Sequence, residues 1–78
     1  MPGRQRKTVL VITGMRDNAC RERVCEVLEE ITGVARVSVS LIRARAIVEH
    51  EPECDPAALV RTVAEAGYDA TVDGHRSG

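Results

Sequence analysis

The sequence predicts an α+β fold in which two helices pack on one face of a four-stranded antiparallel sheet. Short segments that alternate apolar and polar residues, typical of half-buried strands, flank two segments with the apolar spacing of amphipathic helices. These segments follow one another in the order strand, helix, strand, strand, helix, strand. A length of 78 residues is enough for one such domain with a thin core.

The first half of the chain predicts a strand followed by a helix. Residues 7–13 are rich in β-formers and end at Gly14. Asn18 is the predicted N-cap of a helix over residues 19–31, and Gly33 stands where that helix should stop. The apolar residues of this helix form one stripe: Cys20, Val24, Val27, Leu28 and Ile31.

The middle of the chain predicts two paired strands. Residues 35–41 alternate between apolar and polar side chains, and residues 46–49 form the next strand. Residues 42–45 are expected to connect them, although they lack the Asn-Gly or Gly-Gly pair that favours a tight hairpin turn.

The last part of the chain predicts a second helix and a final strand. Asp55 and Pro56 suit the N-cap and first position of a helix, which Gly67 ends. Residues 68–72 form the last strand. The element order is therefore the ferredoxin-like βαββαβ arrangement, with both helices on the same face of the sheet.

One domain is predicted over residues 7–73, between a flexible basic N-terminus (1–6) and a polar tail (74–78). Tyr68 is the only aromatic residue and the net charge is −1, so the composition argues against nucleic-acid binding. The chain has neither an apolar run that could insert into a membrane nor an apolar leader, which predicts a cytoplasmic location.

The segment from Gly14 to Cys20 resembles the metal-binding loop of the heavy-metal-associated (HMA) domain family. In that family the pattern Gly-Met-x-Cys-x-x-Cys supplies two thiolates, and here Gly14-Met15 is followed by Asp17 and then Cys20. Asp17 thus stands at the position of the first cysteine. The resemblance covers about residues 8–72. Further matches lie at the expected spacing: Gly33-Val34, Val37-Ser38-Val39, Ala46-Ile47-Val48-Glu49 and Ala66-Gly67-Tyr68.

This resemblance implies a metallochaperone-like role. The family comprises metallochaperones, a mercury carrier and modules of metal-transporting P-type ATPases, which bind Cu(I), Zn(II), Cd(II) or Hg(II) and are not usually enzymes. It implies Cys20 and Asp17 as metal ligands. The implied partners are a metal-transporting P-type ATPase, another HMA domain, or a second copy in a metal-bridged homodimer.

The pair Asp17 and Cys20 changes the chemistry of the loop. Two thiolates suit Cu(I) or Hg(II), whereas Zn(II) and Cd(II) accept mixed carboxylate and thiolate ligands but prefer four. The remaining ligands must come from water, a second chain or a partner. Cys20 is expected in the first helical turn, where free N–H groups stabilise a thiolate.

Two other classes of function are alternatives to a metal carrier. In the first, the domain binds no metal and serves as a protein-interaction module, with Asp17 only capping the helix. The second is a thiol enzyme, which is not expected because Cys20 has no second thiol, hydroxyl or imidazole at a suitable spacing.

Three residues are possible accessories to the site. Met15 is expected to pack under the loop, and Tyr68 should lie at the same end of the domain, where it either covers the site or packs in the core. Cys25 is predicted to be a surface thiol, with a third sulfur for the metal as the alternative.

The remaining cysteine and the two histidines are expected to lie away from the loop. Cys54 is predicted to be an incidental thiol at the opposite end, with a minor His50–Cys54 metal contact as the alternative. His75 belongs to the tail.

Overall fold

The computed structural model describes residues 6–73, which form four strands and two helices. In chain order the elements are β1 (Arg6–Thr13), α1 (Asn18–Glu29), β2 (Val34–Ser40), β3 (Arg45–His50), α2 (Pro56–Glu65) and β4 (Asp69–Val72). The strands form one antiparallel sheet in the order β2-β3-β1-β4. The predicted ferredoxin-like βαββαβ fold is therefore confirmed.

The predicted terminal segments fall largely outside the described residues. Residues 1–5 of the basic N-terminus lie there, as do residues 74–78 of the tail, including His75. Arg6 differs from the sequence-based assignment, because it is the first residue of β1 and pairs with His50.

One apolar core lies between the sheet and the two helices. Val24 and Leu28 from α1 and Leu59 and Val63 from α2 are buried. They pack against strand residues whose side chains share one face of the sheet: Leu10, Ile12, Ala46, Val48 and Ala70. Both helices therefore cover the same face, as predicted. Across residues 6–73, no helix is long and apolar enough to cross a membrane.

α1 ends earlier than the apolar stripe indicated. Glu30 is its C-cap, and Ile31 follows in the connecting turn, where its N–H donates to the carbonyl of Leu28 at 3.2 Å. Ile31 still packs against the core. The apolar spacing thus continues past the helix, which explains why the sequence predicted two more residues.

The pairing of β1 defines two ends of the domain. Arg6 pairs with His50, whereas Thr13 pairs with Asp69. Residues 14–17, which connect β1 to α1, therefore lie at the Thr13 end, here called the loop end. The other end, here called the far end, contains the segment that follows His50.

The connection between β2 and β3 also lies at the loop end. The N–H of Ile12 donates to the carbonyl of Ala44 at 2.8 Å, which fixes residues 41–44 beside the last residues of β1. Ala44 has φ 57°, in the left-handed region that favours glycine. The chain therefore reverses its direction in this turn without a glycine, and Ala44 adopts a strained backbone conformation.

Ala44→Gly is expected to stabilise the protein by about 0.5–1 kcal/mol, because glycine adopts this φ without the clash that involves an alanine Cβ. Thermal unfolding should show a midpoint several degrees higher. Ala64→Gly, at an exposed position of α2, is the matched control and should lower the midpoint. A fall with Ala44→Gly would contradict the strain at this turn.

Candidate metal site

The loop before α1 packs against Tyr68. Gly14 has φ 109°, and a Cβ built on it would lie 3.4 Å from Cδ1 of Tyr68, so the backbone and the ring are in close contact. Met15 is half-buried and packs against the core. This packing agrees with the predicted role of Met15 beneath the loop.

Asp17 is the N-cap of α1. Its backbone is extended, and its Oδ1 accepts a hydrogen bond from the N–H of Cys20 at 3.0 Å. The prediction of Asn18 as the N-cap was wrong, since Asn18 is the first helical residue. Asp and Asn cap equally well, but the carboxylate also gains from the positive end of the helix. The capping role considered for Asp17 is therefore present in the structure.

Cys20 lies beside the Asp17 carboxylate. It is the third residue of α1 and is half-buried, whereas Asp17 is exposed. Hydrogen bonds from the backbone N–H of Cys20, and then from its side chain, hold the pKa of Asp17 below its usual value, and the charge of Arg16 acts in the same direction. Asp17 is therefore an anion next to the thiol at neutral pH.

Tyr68 lies beside the loop and close to Cys20. Hydrogen bonding to the Cys20 side chain is the main cause that raises the pKa of the Tyr68 hydroxyl, and burial adds to it. The ring also packs against the core. The packing role, one of the two alternatives for Tyr68, is therefore present, and a role in covering a bound metal stays a prediction.

Alkaline titration of Tyr68 is expected to give a midpoint above the usual value of about 10, because Cys20 and burial favour the neutral phenol. Ultraviolet absorbance measures this directly, since Tyr68 is the only tyrosine and tryptophan is absent. Because folding raises the pKa of the Tyr68 hydroxyl, this group contributes stability that is fully present below about pH 10. The contribution is lost as the pH rises through the pKa of Tyr68 in the folded protein. Cys20→Ala should lower the midpoint. An unchanged midpoint would contradict the contact.

One chain brings few metal donors together. Asp17 and Cys20 supply two side chains, and residues 6–73 contain no group of three or more His, Cys, Asp or Glu residues that could hold a metal ion. Cys25 does not complete the set, because its thiol donates to Glu29 at 3.5 Å, one turn farther along α1. Burial, and then Glu29, raise the pKa of the Cys25 thiol. The third-sulfur alternative for Cys25 is therefore not supported.

The far end holds a histidine engaged in hydrogen bonds. His50 is 1% exposed, its Nδ1 lies 2.9 Å from the carbonyl oxygen of Glu51, and its Nε2 lies 2.7 Å from Oγ1 of Thr8. A carbonyl only accepts, so Nδ1 carries a proton, and in the neutral ring Nε2 accepts from Thr8. Neither nitrogen is free for the His50–Cys54 metal contact, which was the alternative to an incidental thiol at Cys54. Cys54 is buried, which raises the pKa of its thiol.

The burial of His50 was missed in the sequence, although a signal was available. Ala46 and Val48 are apolar and share one face of a strand with His50, two residues farther on. The predicted strand ended at residue 49 and so excluded it.

Comparison with known proteins identifies related domains. The model of the heavy-metal-associated domain family matches residues 9–69. A copper-exporting P-type ATPase of Staphylococcus aureus (strain JH9) is 39% identical over 64 residues, which is 81% of this chain but 8% of the ATPase. The chain therefore spans a small fraction of the length of the ATPases that it matches.

Two solved structures illustrate the similarity of the fold. Oxidized MerP from Ralstonia metallidurans CH34 is 25% identical, with a TM-score of 0.86 over 91% of this chain and all of that one. The N-terminal domain of a potential copper-translocating P-type ATPase from Bacillus subtilis, in its Cu(I)-loaded state, is 28% identical, with a TM-score of 0.86 over 96% and 95% of the two chains. Together with the family match over most of its length, this similarity shows that the chain belongs to the heavy-metal-associated domain family.

Proposed function

We propose that this domain is a metallochaperone-like carrier for a soft or transition-metal ion, with Cys20 as its principal ligand. The observation that supports the proposal most strongly is the position of Cys20. Its thiol is half-exposed in the first turn of α1, beside the anionic Asp17, in a domain of a metal-binding family. Cu(I), Zn(II), Cd(II) and Hg(II) are the candidate ions.

Asp17 is proposed as the second ligand from the same chain. Its Oδ1 caps the helix, and the other carboxylate oxygen is not needed for that hydrogen bond. Because a thiolate and one carboxylate cannot enclose an ion, a second chain or a partner completes the ligand set. Exchange of these outer ligands lets the ion pass on without a covalent step, so the proposed role is not enzymatic.

The proposed partners are a metal-transporting P-type ATPase or another heavy-metal-associated domain. The related ATPases named above contain a segment similar to this chain, which makes a domain of the same family on a transporter the candidate to exchange the ion. The three cysteines of the described residues are free thiols, which fits the predicted cytoplasmic location, because the cytosol is reducing.

The test is metal binding by the reduced protein and by Cys20→Ser. Native mass spectrometry with limiting Cu(I), Zn(II), Cd(II) or Hg(II) should detect a metal-bound species that disappears in the variant. Cys25→Ser is the matched control, because its thiol faces Glu29, and it should retain the metal. Metal affinity that survives in Cys20→Ser would refute the carrier role.

A metal-free interaction module is the second candidate. The capping hydrogen bond of Asp17 favours it, because that role explains the residue without any metal. A pull-down with a heavy-metal-associated domain as bait distinguishes the two. Binding that is unchanged by chelator and by Cys20→Ser would support the metal-free module.

A further inference from the structure

The face of the sheet opposite the helices carries a groove with a volume of about 280 Å³. We propose that this groove binds a small monocarboxylic acid with an apolar body, whose carboxylate is held by Arg43. The lining of the groove includes neither Asp17 nor Cys20. This site is therefore independent of the proposed metal binding.

The floor of the groove is apolar. The side chains of Leu10, Ala46 and Val48 lie in the core beneath the helices. Successive side chains of a strand point to opposite faces, so Val9 and Ile47 lie on the open face. These two residues are also paired directly across β1 and β3, and Ile47 is 39% exposed. They form an apolar surface that neither helix covers.

Two serines and an arginine form one side of the groove. Ser38 and Ser40 lie on β2, where they pair with Ile47 and Arg45 of β3. The Ser40 Oγ accepts a hydrogen bond from the backbone N–H of Arg43 at 3.2 Å, so its own O–H can donate to a ligand. Among the described residues, the guanidinium of Arg43 forms no ion pair, and Arg43 is exposed. This side therefore offers hydroxyl donors and a cation.

An ion pair forms the other side of the groove. Nη1 of Arg45 lies 3.1 Å from Oδ2 of Asp73, and both side chains are partly exposed. The backbone N–H of Asp73 donates to the carbonyl of Val9 at 2.7 Å, which fixes Asp73 beside the apolar floor. Because Asp73 already balances the charge of Arg45, the groove has one net positive charge, that of Arg43.

These charges favour a carboxylate over a phosphate. A guanidinium matches the planar carboxylate group with two parallel hydrogen bonds, and one carboxylate neutralises Arg43. A phosphate monoester carries a charge of about −1.5 to −2 at neutral pH. Its excess negative charge would be repelled by the nearby Asp73 carboxylate. A single carboxylate is therefore the anion that the groove fits best.

The size of the groove limits the size of the ligand and its affinity. A volume of 280 Å³ corresponds to roughly nine water molecules of the liquid, so a ligand of about ten non-hydrogen atoms fills it. Pockets for small ligands usually measure about 300–1,000 Å³, so this groove lies near the lower limit. A ligand of this size in a groove open to solvent is expected to bind with a Kd of roughly 1 mM.

Titration of the isotope-labelled reduced chain with phenylacetate, followed by two-dimensional NMR spectra, tests the site. The expected result is saturable shifts of the amide signals of Val9, Ser38, Arg43 and Ile47. Phenylacetamide has nearly the same shape but no charge, so it should bind about tenfold more weakly. Added salt should weaken the binding of phenylacetate, because the Arg43 guanidinium is exposed.

Matched variants test the role of each side chain. Arg43→Gln should weaken phenylacetate binding by about tenfold, since a hydrogen bond to a charged group is lost. Arg61→Gln is the control, because it removes an exposed arginine from α2, on the other face of the sheet, and should have no effect. Ile47→Thr keeps a β-branched residue in the strand but reduces the apolar floor, so binding should fall severalfold.

The outcomes separate this site from the carrier role. Unchanged binding by Arg43→Gln, or equal affinity for phenylacetate and phenylacetamide, would overturn recognition of the carboxylate. Shifts that do not saturate, or that are confined to residues outside the groove, would overturn the site itself. Cys20→Ser should bind phenylacetate as the wild type does, whatever its metal affinity. A loss of phenylacetate binding in that variant would contradict the independence of the two sites.

Discussion

Asp17→Cys is expected to convert the domain into a Cu(I)-binding monomer. The introduced thiolate and that of Cys20 would then come from one loop, as the soft linear pair that Cu(I) prefers. Joining the second thiolate to the same chain replaces an intermolecular contact by an intramolecular one, which raises affinity by roughly a hundred- to ten-thousandfold. Competition titration against a Cu(I) chelator measures the gain, and native mass spectrometry should show one ion per chain.

The same change should also lower stability. Cysteine is a poor N-cap, so the loss of the hydrogen bond between Asp17 and the Cys20 N–H costs about 1 kcal/mol. Asp17→Ser is the control, because serine caps the helix but adds no thiol. It should retain stability and gain no Cu(I) affinity. A Cu(I) affinity of Asp17→Cys that equals the wild type would show that the loop cannot bring two sulfurs together.

His50→Ala is expected to destabilise the protein by about 3 kcal/mol. It leaves a cavity at a site that is 1% exposed and removes the partner of the Thr8 hydroxyl and the Glu51 carbonyl. For a domain of 78 residues this is a large part of the total stability. Urea unfolding measured by circular dichroism gives the difference directly.

A double variant separates the cavity from the lost hydrogen bonds. Thr8→Val combined with His50→Phe removes two buried polar groups and retains the volume of the ring, so it should be more stable than His50→Ala. Metal binding by the folded fraction should not change, because His50 lies at the far end. Destabilisation by His50→Ala below about 1 kcal/mol would contradict a structural role for the buried ring.

Much of the fold could be predicted because each element carries a local signal. The alternation of residues 35–41 and the apolar stripe of residues 19–31 reflect the two periodicities that strands and helices impose on a buried face. The boundaries were less accurate. The stripe continues to Ile31 although the helix ends at Glu29, because a residue in a turn can still pack against the core.

The candidate site was inferred from a sequence pattern, and metal binding by Asp17 and Cys20 stays a prediction, whereas the contacts of these residues come from the structure. The spacing of Gly14, Asp17 and Cys20 identified the loop from the resemblance alone. The choice between Asp17 and Asn18 as the N-cap depends on which side chain reaches the N–H of Cys20, and two adjacent capping residues give no sequence signal for that. The contact between Tyr68 and Cys20 joins residues far apart in the chain, so it emerges only from the fold.

The pairing of β1 has a consequence for how the domain can be attached to other polypeptides. Arg6 begins β1 at the far end, and the N–H of Asp73 donates to the carbonyl of Val9 at 2.7 Å, midway along the same strand. A fluorophore, surface anchor or fused protein joined before Arg6 or after Asp73 would leave the Cys20 loop unobstructed. Several copies could thus be tethered in series while every loop stays accessible to an incoming ion.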